Sequence, residues 1–313
     1  MTEIPSFGSP LLVPFDGSAN AEVVLPFVPL LVGAQRQAIL LQVVPEAREI
    51  QSALGDVKLT AEELQAASET AARAALERAA DQLAERDQNL LIEEMVVAGD
   101  PSDQIARVAK ERHVGGILLS SQGVSAVGPG GFGSVVGRVV RTAPAPVMVI
   151  RANPSCPTAE IARLVIAHDG SARANRALPV AQELAKRLDA HVHVVAVVND
   201  ERSPIADSAA VSLDPHVLEM FQGDARRAAQ HHLEGVGASL LRMGQPATWQ
   251  VLTGPAAPAI IDALAPNDVL VLTPYGRTGS RWMIGSIAEK LVRECPVPVL
   301  LVRSPDDRPG PTQ

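Results

Sequence analysis

One unit of sequence occurs twice in this chain and limits its fold more than any other feature. The later copy is Asp268–Val302, DVLVLTPYGRTGSRWMIGSIAEKLVRECPVPVLLV. It opens with a short apolar run typical of a buried parallel strand, passes through a glycine-bearing loop, and continues with apolar residues at helical spacing until Pro296. The earlier copy is Gly115–Arg151. Two copies of this unit of strand, loop, helix and strand predict that one domain is repeated.

A Gly-Ser pair stands at the start of the predicted helix in both copies. The pairs are Gly133-Ser134 and Gly285-Ser286, and Ser286 is predicted to be the helix N-cap. Glycine lets a backbone approach an anion closely, and a helix start presents unpaired N–H groups and the positive end of the helix dipole. A phosphate group is therefore the expected ligand, and a turn with a cap that serves only the fold is the alternative.

The sequence Asp-Gly-Ser also occurs twice, each time after a predicted first strand. Asp16 follows the apolar run Pro10–Phe15, and Asp169 follows Leu164–Ala167 and His168. Open α/β sheets bind ligands at the carboxyl ends of their strands, where a carboxylate can accept hydrogen bonds from hydroxyl or amino groups. For both aspartates the alternative is a turn in which the carboxylate accepts a nearby backbone N–H.

Apolar runs alternate with helix-length segments through both halves. This order predicts a five-stranded, parallel, doubly wound sheet in each half, with domains at 1–152 and 160–305 and the Pro-containing linker Ala152–Ala159 between them. Thr60 and Glu63 have the spacing of a capping box at the start of a long helix. The other predicted strands are Ile39–Val44, Glu93–Val97, Val192–Val198 and Trp249–Leu252, and the predicted helices are Ala19–Val32, Leu59–Glu85, Asp103–Glu111, Ala172–Leu188, Pro215–Leu241 and Ala257–Ala263.

Length and charge exclude several classes of protein. A chain of 313 residues exceeds the usual size of one core, which agrees with two domains. The net charge of −8 argues against nucleic acid or an anionic membrane as the main partner. Cys156 and Cys295 cannot form a disulfide framework or a metal cluster, and no apolar run approaches membrane-spanning length. We expect a cytoplasmic protein.

The histidines do not form an evident catalytic or metal site. His231 and His232 are adjacent on a predicted helix and therefore face different directions. His191 and His193 share one strand face without a further ligand nearby in sequence. His168, alone at a strand end, is expected to be merely accommodated there. No catalytic or metal-binding residue is predicted.

These motifs together resemble the universal stress protein family in its tandem two-domain form. The similarity runs from Leu11 to Val302, and IGSIAEKLVRECPVPVLLV is especially like that family. The resemblance implies a Rossmann-like fold of the adenine nucleotide alpha hydrolase-like kind, with strand order 3-2-1-4-5, and a non-enzymatic role in stress response. In one branch it also implies ATP, with Mg²⁺, bound by a loop of Gly, two residues, Gly, nine residues, then Gly-Ser or Gly-Thr.

Carried over residue by residue, the resemblance places the nucleotide beside a defined set of residues. The aspartates are expected at the ribose or adenine, backbone groups of the second strands at the adenine, and the glycine loop at the phosphates, with Arg277 the nearest cation. Both loops depart from the family pattern, because Ser120 and Thr273 replace the first glycine and the later loop is one residue short. The expected cofactor-binding residues are Asp16, Val43, Ser120, Gly123, Gly133, Ser134, Asp169, Val197, Thr273, Gly276, Arg277, Gly279, Gly285 and Ser286.

Two other functions stay open. The substituted loops favour a nucleotide-free scaffold for dimerisation and protein contacts, and slow ATP hydrolysis is a third hypothesis for which no water-activating residue can be named. Prolines open each predicted last strand, which places that strand at a sheet edge. By the resemblance, the two halves are expected to pair through Val147–Ile150 and Val299–Val302, and a homodimer is compatible with it.

Overall fold

The chain divides into two compact units, Met1–Pro154 and Ser155–Gln313, called here the first and the second repeat. The computed structural model describes residues 7–8, 10–46, 50–51, 58–121, 133–151, 160–199, 215–275 and 284–303. No helix within these ranges is long and apolar enough to cross a membrane.

The first repeat is an open parallel sheet with connecting helices. Its order is β5-β2-β1-β6-β7, which is 3-2-1-4-5 when only the strands of this sheet are numbered. A short antiparallel pair, β3 with β4, lies in the connection after β2 and was not predicted. The elements are β1 (Leu11–Pro14), α1 (Ala19–Glu22), α2 (Val28–Leu31), β2 (Gln37–Val44), β3 (Ile50–Gln51), β4 (Lys58–Leu59), α3 (Ala61–Arg86), β5 (Leu91–Ala98), α4 (Pro101–Glu111), β6 (Gly116–Ser120), α5 (Ser134–Thr142) and β7 (Val147–Ile150).

The second repeat has the same architecture. Its parallel strands run in the order β10-β9-β8-β11-β12, again 3-2-1-4-5, so the predicted fold class is confirmed. The elements are β8 (Arg163–Ala167), α6 (Ala177–Leu188), β9 (His191–Val198), α7 (Pro215–Arg242), β10 (Ala247–Thr253), α8 (Ala256–Asp262), β11 (Asp268–Leu272), α9 (Ser286–Glu294) and β12 (Val299–Leu301).

Central strands that are apolar on both faces form the core of each repeat. Leu11, Leu12 and Val13 of β1 are fully buried, and every residue of β11 is buried. This is the pattern expected of parallel strands covered by helices on both sides. Each last strand stands at the end of its own repeat's strand order, as the prolines before it predict.

The register of the first two strands matches between repeats. Phe15 N–H donates to the Leu41 carbonyl at 2.8 Å, and His168 N–H donates to the Val195 carbonyl at 2.8 Å. Leu41 and Val195 are therefore equivalent positions. Two residues further on, Val43 and Val197 are equivalent as well.

Two helix predictions are wrong in their extent. The segment Ala19–Val32 is not one helix but α1, a 3-10 turn at Leu25–Phe27 and α2. Pro26 and Pro29 cause the breaks, because each lacks a backbone N–H and starts a new turn instead of continuing the old one. In the second repeat a 3-10 turn at Ala174–Arg176 precedes α6.

The predicted caps of other helices are present. Thr60 Oγ1 accepts from the Glu63 N–H at 3.1 Å, and Glu63 Oε2 accepts from the Thr60 N–H at 2.9 Å. This reciprocal pair is the capping box, and it starts α3 one residue after Thr60. Asp214, which directly precedes α7 and has a side chain suited to an N-cap, lies outside the described residues.

Candidate functional site

The second repeat contains a cavity of about 530 Å³ at the carboxyl ends of its strands. Residues after β8 and β11 line it, which places it at the switch point where the strand order reverses, between the first and fourth strands. A volume of this size suits a small organic ligand or cofactor. The lining residues are Ala167, His168, Asp169, Val195, Val197, Ala256, Ile260, Leu272, Thr273, Pro274, Gly285, Ser286, Ile287 and Ala288.

Five residues that the sequence indicated meet in this cavity: Asp169, Val197, Thr273, Gly285 and Ser286. They come from four separate stretches of the chain. The fold joins these stretches because the carboxyl ends of parallel strands lie at one edge of a sheet. Gly276, Arg277 and Gly279 lie outside the described residues.

The N-terminus of α9 forms one wall of the cavity. The first hydrogen bond of this helix runs from Glu289 N–H to the Gly285 carbonyl at 2.9 Å. The amides of Ser286, Ile287 and Ala288 precede that bond and have no acceptor within the helix. Three cavity-lining residues thus carry the unpaired N–H groups and the positive dipole end that suit an anion.

The prediction that Ser286 caps α9 is wrong by one residue. Gly285 is the N-cap, with extended backbone at φ −61° and ψ 143°, and Ser286 is the first helical residue. The N–H of Gly285 donates to the Pro274 carbonyl at 2.9 Å, which fixes the start of the helix against the loop after β11. A cap side chain must project from the extended residue, and glycine occupies that place. The first repeat shows the same shift, with Gly133 as the N-cap of α5.

Asp169 lies in a tight turn after β8. Its Oδ1 accepts from the Ser171 N–H at 2.9 Å, and Gly170 has φ +81°, which glycine adopts without strain. The turn that was considered as the alternative for this aspartate is therefore present. Among the described residues no hydrogen-bond partner is found for Oδ2, and the residue is exposed at the cavity. The turn and a ligand role are compatible, because the turn uses only one of the two oxygens.

The opposite wall of the cavity is apolar. Val195 and Val197 come from β9 and Leu272 comes from β11, the strands on either side of β8, while Ala256 and Ile260 lie four residues apart on one face of α8. Such a wall suits a flat, weakly polar ring better than a charged group. The cavity therefore has an apolar end and an anion-favouring end, with a carboxylate in addition.

His168 is a part of the cavity that sequence reasoning did not recognise. It is 2% exposed, and its Nδ1 lies 3.0 Å from Nε2 of His232 on α7. The sequence separation of 64 residues leaves no local signal for this contact. His231 points elsewhere, with a side chain 93% exposed, as the adjacency of the two histidines predicts.

The first repeat has the same corner after β1. Asp16 Oδ1 accepts from the N–H and the hydroxyl of Ser18, at 3.0 and 2.6 Å. Ser18 Oγ in turn accepts from the Ala21 N–H at 3.1 Å and caps α1. Ser120 ends β6, Val43 lies near the end of β2, and Ser134 is the first residue of α5. Gly123 lies outside the described residues.

Gly133 is packed closely in the first repeat. A Cβ placed there would lie 3.2 Å from the Ser121 carbonyl oxygen, so a side chain would force a backbone shift.

Within the described ranges, no group of three or more His, Cys, Asp and Glu side chains is placed to hold a metal ion.

Comparison with known proteins gives one consistent family. The profile of the "Universal stress protein family" matches residues 9–151 and 160–303. A curated universal stress protein from Methanocaldococcus jannaschii is 28% identical over 146 residues, which is 46% of this chain and 82% of that protein.

Solved structures share the fold over nearly the whole chain. A universal stress protein from Archaeoglobus fulgidus superposes with a TM-score of 0.66 at 19% identity, covering 94% of this chain and 97% of that one. A protein from Pseudomonas aeruginosa, described as functionally unknown, superposes with a TM-score of 0.61 at 17% identity, covering 97% and 95%.

Proposed function

The chain belongs to the universal stress protein family, with two copies of the domain, and from this premise we propose that it is a non-enzymatic stress-response module whose second repeat binds ATP or a related adenine nucleotide. The cavity at the switch point of the second repeat carries the proposal. It unites an apolar wall, a carboxylate and three unpaired helix amides within about 530 Å³.

Each part of an adenine nucleotide has a suitable partner in this cavity. The adenine ring fits the wall formed by Val195, Val197 and Ile260, where backbone groups of the β9 end supply hydrogen bonds to its edge. Ribose hydroxyls are donors for the Asp169 carboxylate. The phosphates fit the start of α9, and Mg²⁺ would accompany them, since it binds chiefly to phosphate oxygens.

The first repeat is included in the proposal with less support. Asp16, Val43, Ser120, Gly133 and Ser134 occupy positions equivalent to those in the second repeat. A nucleotide there would meet the same aspartate turn and the same kind of helix start.

One observation favours the scaffold alternative. Thr273 and Pro274 line the cavity where the family's ATP-binding loop has its first glycine, and Thr273 Oγ1 donates to the Tyr275 carbonyl at 3.3 Å. Side chains at this point reduce the room for a triphosphate. If this room is too small for ATP, the cavity would bind a nucleotide with fewer phosphates or no nucleotide at all.

Equilibrium dialysis with labelled ATP, ADP and AMP tests the proposal. Gly285→Glu is the informative variant, because the φ and ψ of Gly285 suit any residue and a carboxylate at a helix N-terminus stabilises the helix. The variant is expected to stay folded and to lose nucleotide, since the new charge repels phosphate. Gly285→Gln is the matched control of equal size without charge.

The outcomes separate the hypotheses. Retention of nucleotide by the wild type and by Gly285→Gln, with loss in Gly285→Glu, supports nucleotide binding in the second repeat. No retention of any of the three nucleotides at millimolar concentration overturns it and favours the scaffold. Binding that survives Gly285→Glu unchanged would place the nucleotide elsewhere.

A further inference from the structure

The hydrogen bonds of His168 define which of its nitrogens carries the proton. Gly170 N–H donates to Nδ1 at 3.1 Å, and a backbone amide can only donate. Nδ1 is therefore unprotonated, and Nε2–H donates to Asn175 Oδ1 at 3.0 Å. His232 Nε2 lies 3.0 Å from the same Nδ1 and can only donate to it, so the two donors share the single lone pair of that nitrogen. The buried ring is neutral and is held from three sides.

The first repeat fills the position equivalent to His168 with an apolar side chain. Phe15 occupies the place of His168, directly before the Asp-Gly-Ser turn, and is 5% exposed. Ala75 of α3 covers the turn there, and a Cβ on Gly17 would lie 3.2 Å from the Cβ of Ala75. An apolar pair is therefore sufficient for the fold. The second repeat instead buries the imidazole of His168 and half-buries that of His232, and polar atoms withdrawn from water in this way must be hydrogen-bonded to be tolerated.

The polar pair acts on the turn that carries Asp169. The bond from Gly170 N–H to His168 Nδ1 fixes the peptide unit between Asp169 and Gly170. The bond from Ser171 N–H to Asp169 Oδ1 fixes the carboxylate against the next peptide unit, between Gly170 and Ser171. His232 and Asn175 hold the imidazole itself, one from α7 and one from the turn before α6. Phenylalanine, which has no acceptor, cannot do this in the first repeat.

We propose that His168, held by His232, is a positioning residue that keeps the Asp169 turn of the second repeat in the geometry that binds its ligand. This inference rests on the proposed nucleotide binding and assigns no contact between His168 and the nucleotide.

Two variants separate positioning from packing. The buried residues that follow Ala75 on α3 and His232 on α7 have the same spacing (Leu76, Ala79 and Leu83; Leu233, Val236 and Leu240), so the two positions are equivalent. The double variant His168→Phe with His232→Ala therefore introduces the residues of the first repeat and is expected to fold. His168→Asn keeps an oxygen that can accept the N–H two residues on, as in an Asx turn. We expect the double variant to bind ATP about threefold to tenfold more weakly, the effect of one net hydrogen bond, and His168→Asn to bind close to the wild type.

Nitrogen NMR of the full chain gives a second measurement that does not depend on nucleotide. His168 is expected as the neutral form protonated at Nε2. Protonation at Nδ1 would overturn the inference, and so would equal weakening by both variants, because that would indicate general packing. Wild-type affinity in the double variant overturns the inference alone, whereas a wild type that binds no nucleotide overturns the proposed function with it.

Discussion

Arg163 and Asp268 form a two-point ion pair, with Nε to Oδ1 at 2.9 Å and Nη2 to Oδ2 at 2.6 Å. They are the first residues of β8 and β11 and stand opposite each other in the parallel register. Asp268 Oδ2 also accepts from the Ala265 N–H at 2.7 Å, and the carboxylate is only 3% exposed. This pair lies at the amino ends of the strands, whereas the cavity lies at their carboxyl ends. Stability and binding can therefore be tested apart in this repeat.

Asp268→Ala is expected to destabilise the second repeat without changing the cavity. Removing the buried carboxylate leaves the Ala265 amide without its acceptor and leaves Arg163 with the Ala263 carbonyl but no counter-charge, which costs about 3 kcal/mol in the free energy of unfolding. Urea unfolding measures the loss, and nucleotide affinity of the folded protein should stay unchanged. Glu294→Ala is the control, because its pair with Lys290 is exposed, at 3.9 Å, and is worth at most about 0.5 kcal/mol. Equal effects of the two variants would contradict the prediction.

His193 makes the stability of the second repeat depend on pH. Burial, and then the positive charge of Arg163, lower the pKa of His193 below its usual 6.5, although Asp268 opposes this. Between the lowered pKa and pH 6.5 the unfolded chain binds more protons than the folded one, so stability rises with pH through that interval. The stability that the neutral form of His193 contributes is fully present above pH 6.5, and it is lost as the pH falls through this interval.

His193→Gln is therefore expected to flatten the pH dependence of unfolding in that acidic interval. Glutamine can keep a hydrogen bond to Thr248 Oγ1, which lies 2.8 Å from His193 Nδ1, but cannot be protonated. Thermal unfolding across the pH series measures the slope. His231→Gln, at a side chain 93% exposed, is the matched control and should leave the slope as it is.

Local patterns in the sequence were sufficient for a five-stranded parallel sheet in each repeat and for most helix starts, whereas the order of the strands was implied by the family resemblance. The duplicated unit, the Asp-Gly-Ser corners and the Thr60 capping box depend on residues a few positions apart, so spacing alone indicates them. The cap of α9 was misplaced by one residue because Gly285 and Ser286 are both acceptable caps in sequence. Pro26 could have indicated the helix break in the sequence, but the apolar spacing of Ala19–Val32 led to the prediction of one continuous helix.

Contacts between distant residues could not be predicted in this way. His168 and His232 are 64 positions apart, and their pairing depends on how α7 crosses the strand ends. The ion pair of Arg163 and Asp268 could not be predicted for the same reason, because these residues are 105 positions apart. Each residue taken alone resembles an ordinary strand end or helix face.

Two glycines on α7 are expected to respond to alanine in opposite directions. A Cβ on Gly237 would lie 2.5 Å from Cζ3 of Trp249, so Gly237→Ala must displace the indole and costs about 1–3 kcal/mol. A Cβ on Gly235 meets nothing within 4 Å, so Gly235→Ala should stabilise the helix by about 1 kcal/mol. Unfolding curves give both energies, and a fluorescence shift is expected for Gly237→Ala only. Stabilisation by Gly237→Ala would contradict this packing.

Enlarging Ala256 is expected to fill the apolar end of the cavity and exclude the ring of a bound nucleotide. Ala256 shares one face of α8 with buried Ile260, and both line the cavity. Ala256→Leu adds apolar volume to an existing space, so the free energy of unfolding should stay constant or rise. Affinity for ATP should fall about tenfold or more, since forcing a ligand against an overfilled wall costs about 1–3 kcal/mol.

Ala259→Leu provides the control for Ala256→Leu, because Ala259 lies on the same helix but does not line the cavity. It should leave nucleotide affinity unchanged in equilibrium dialysis. Stability and affinity that move in opposite directions for Ala256→Leu alone are diagnostic of a ligand in this cavity, because general damage to the repeat lowers both. A variant with unchanged affinity would show that the apolar wall of the second repeat does not hold the adenine ring.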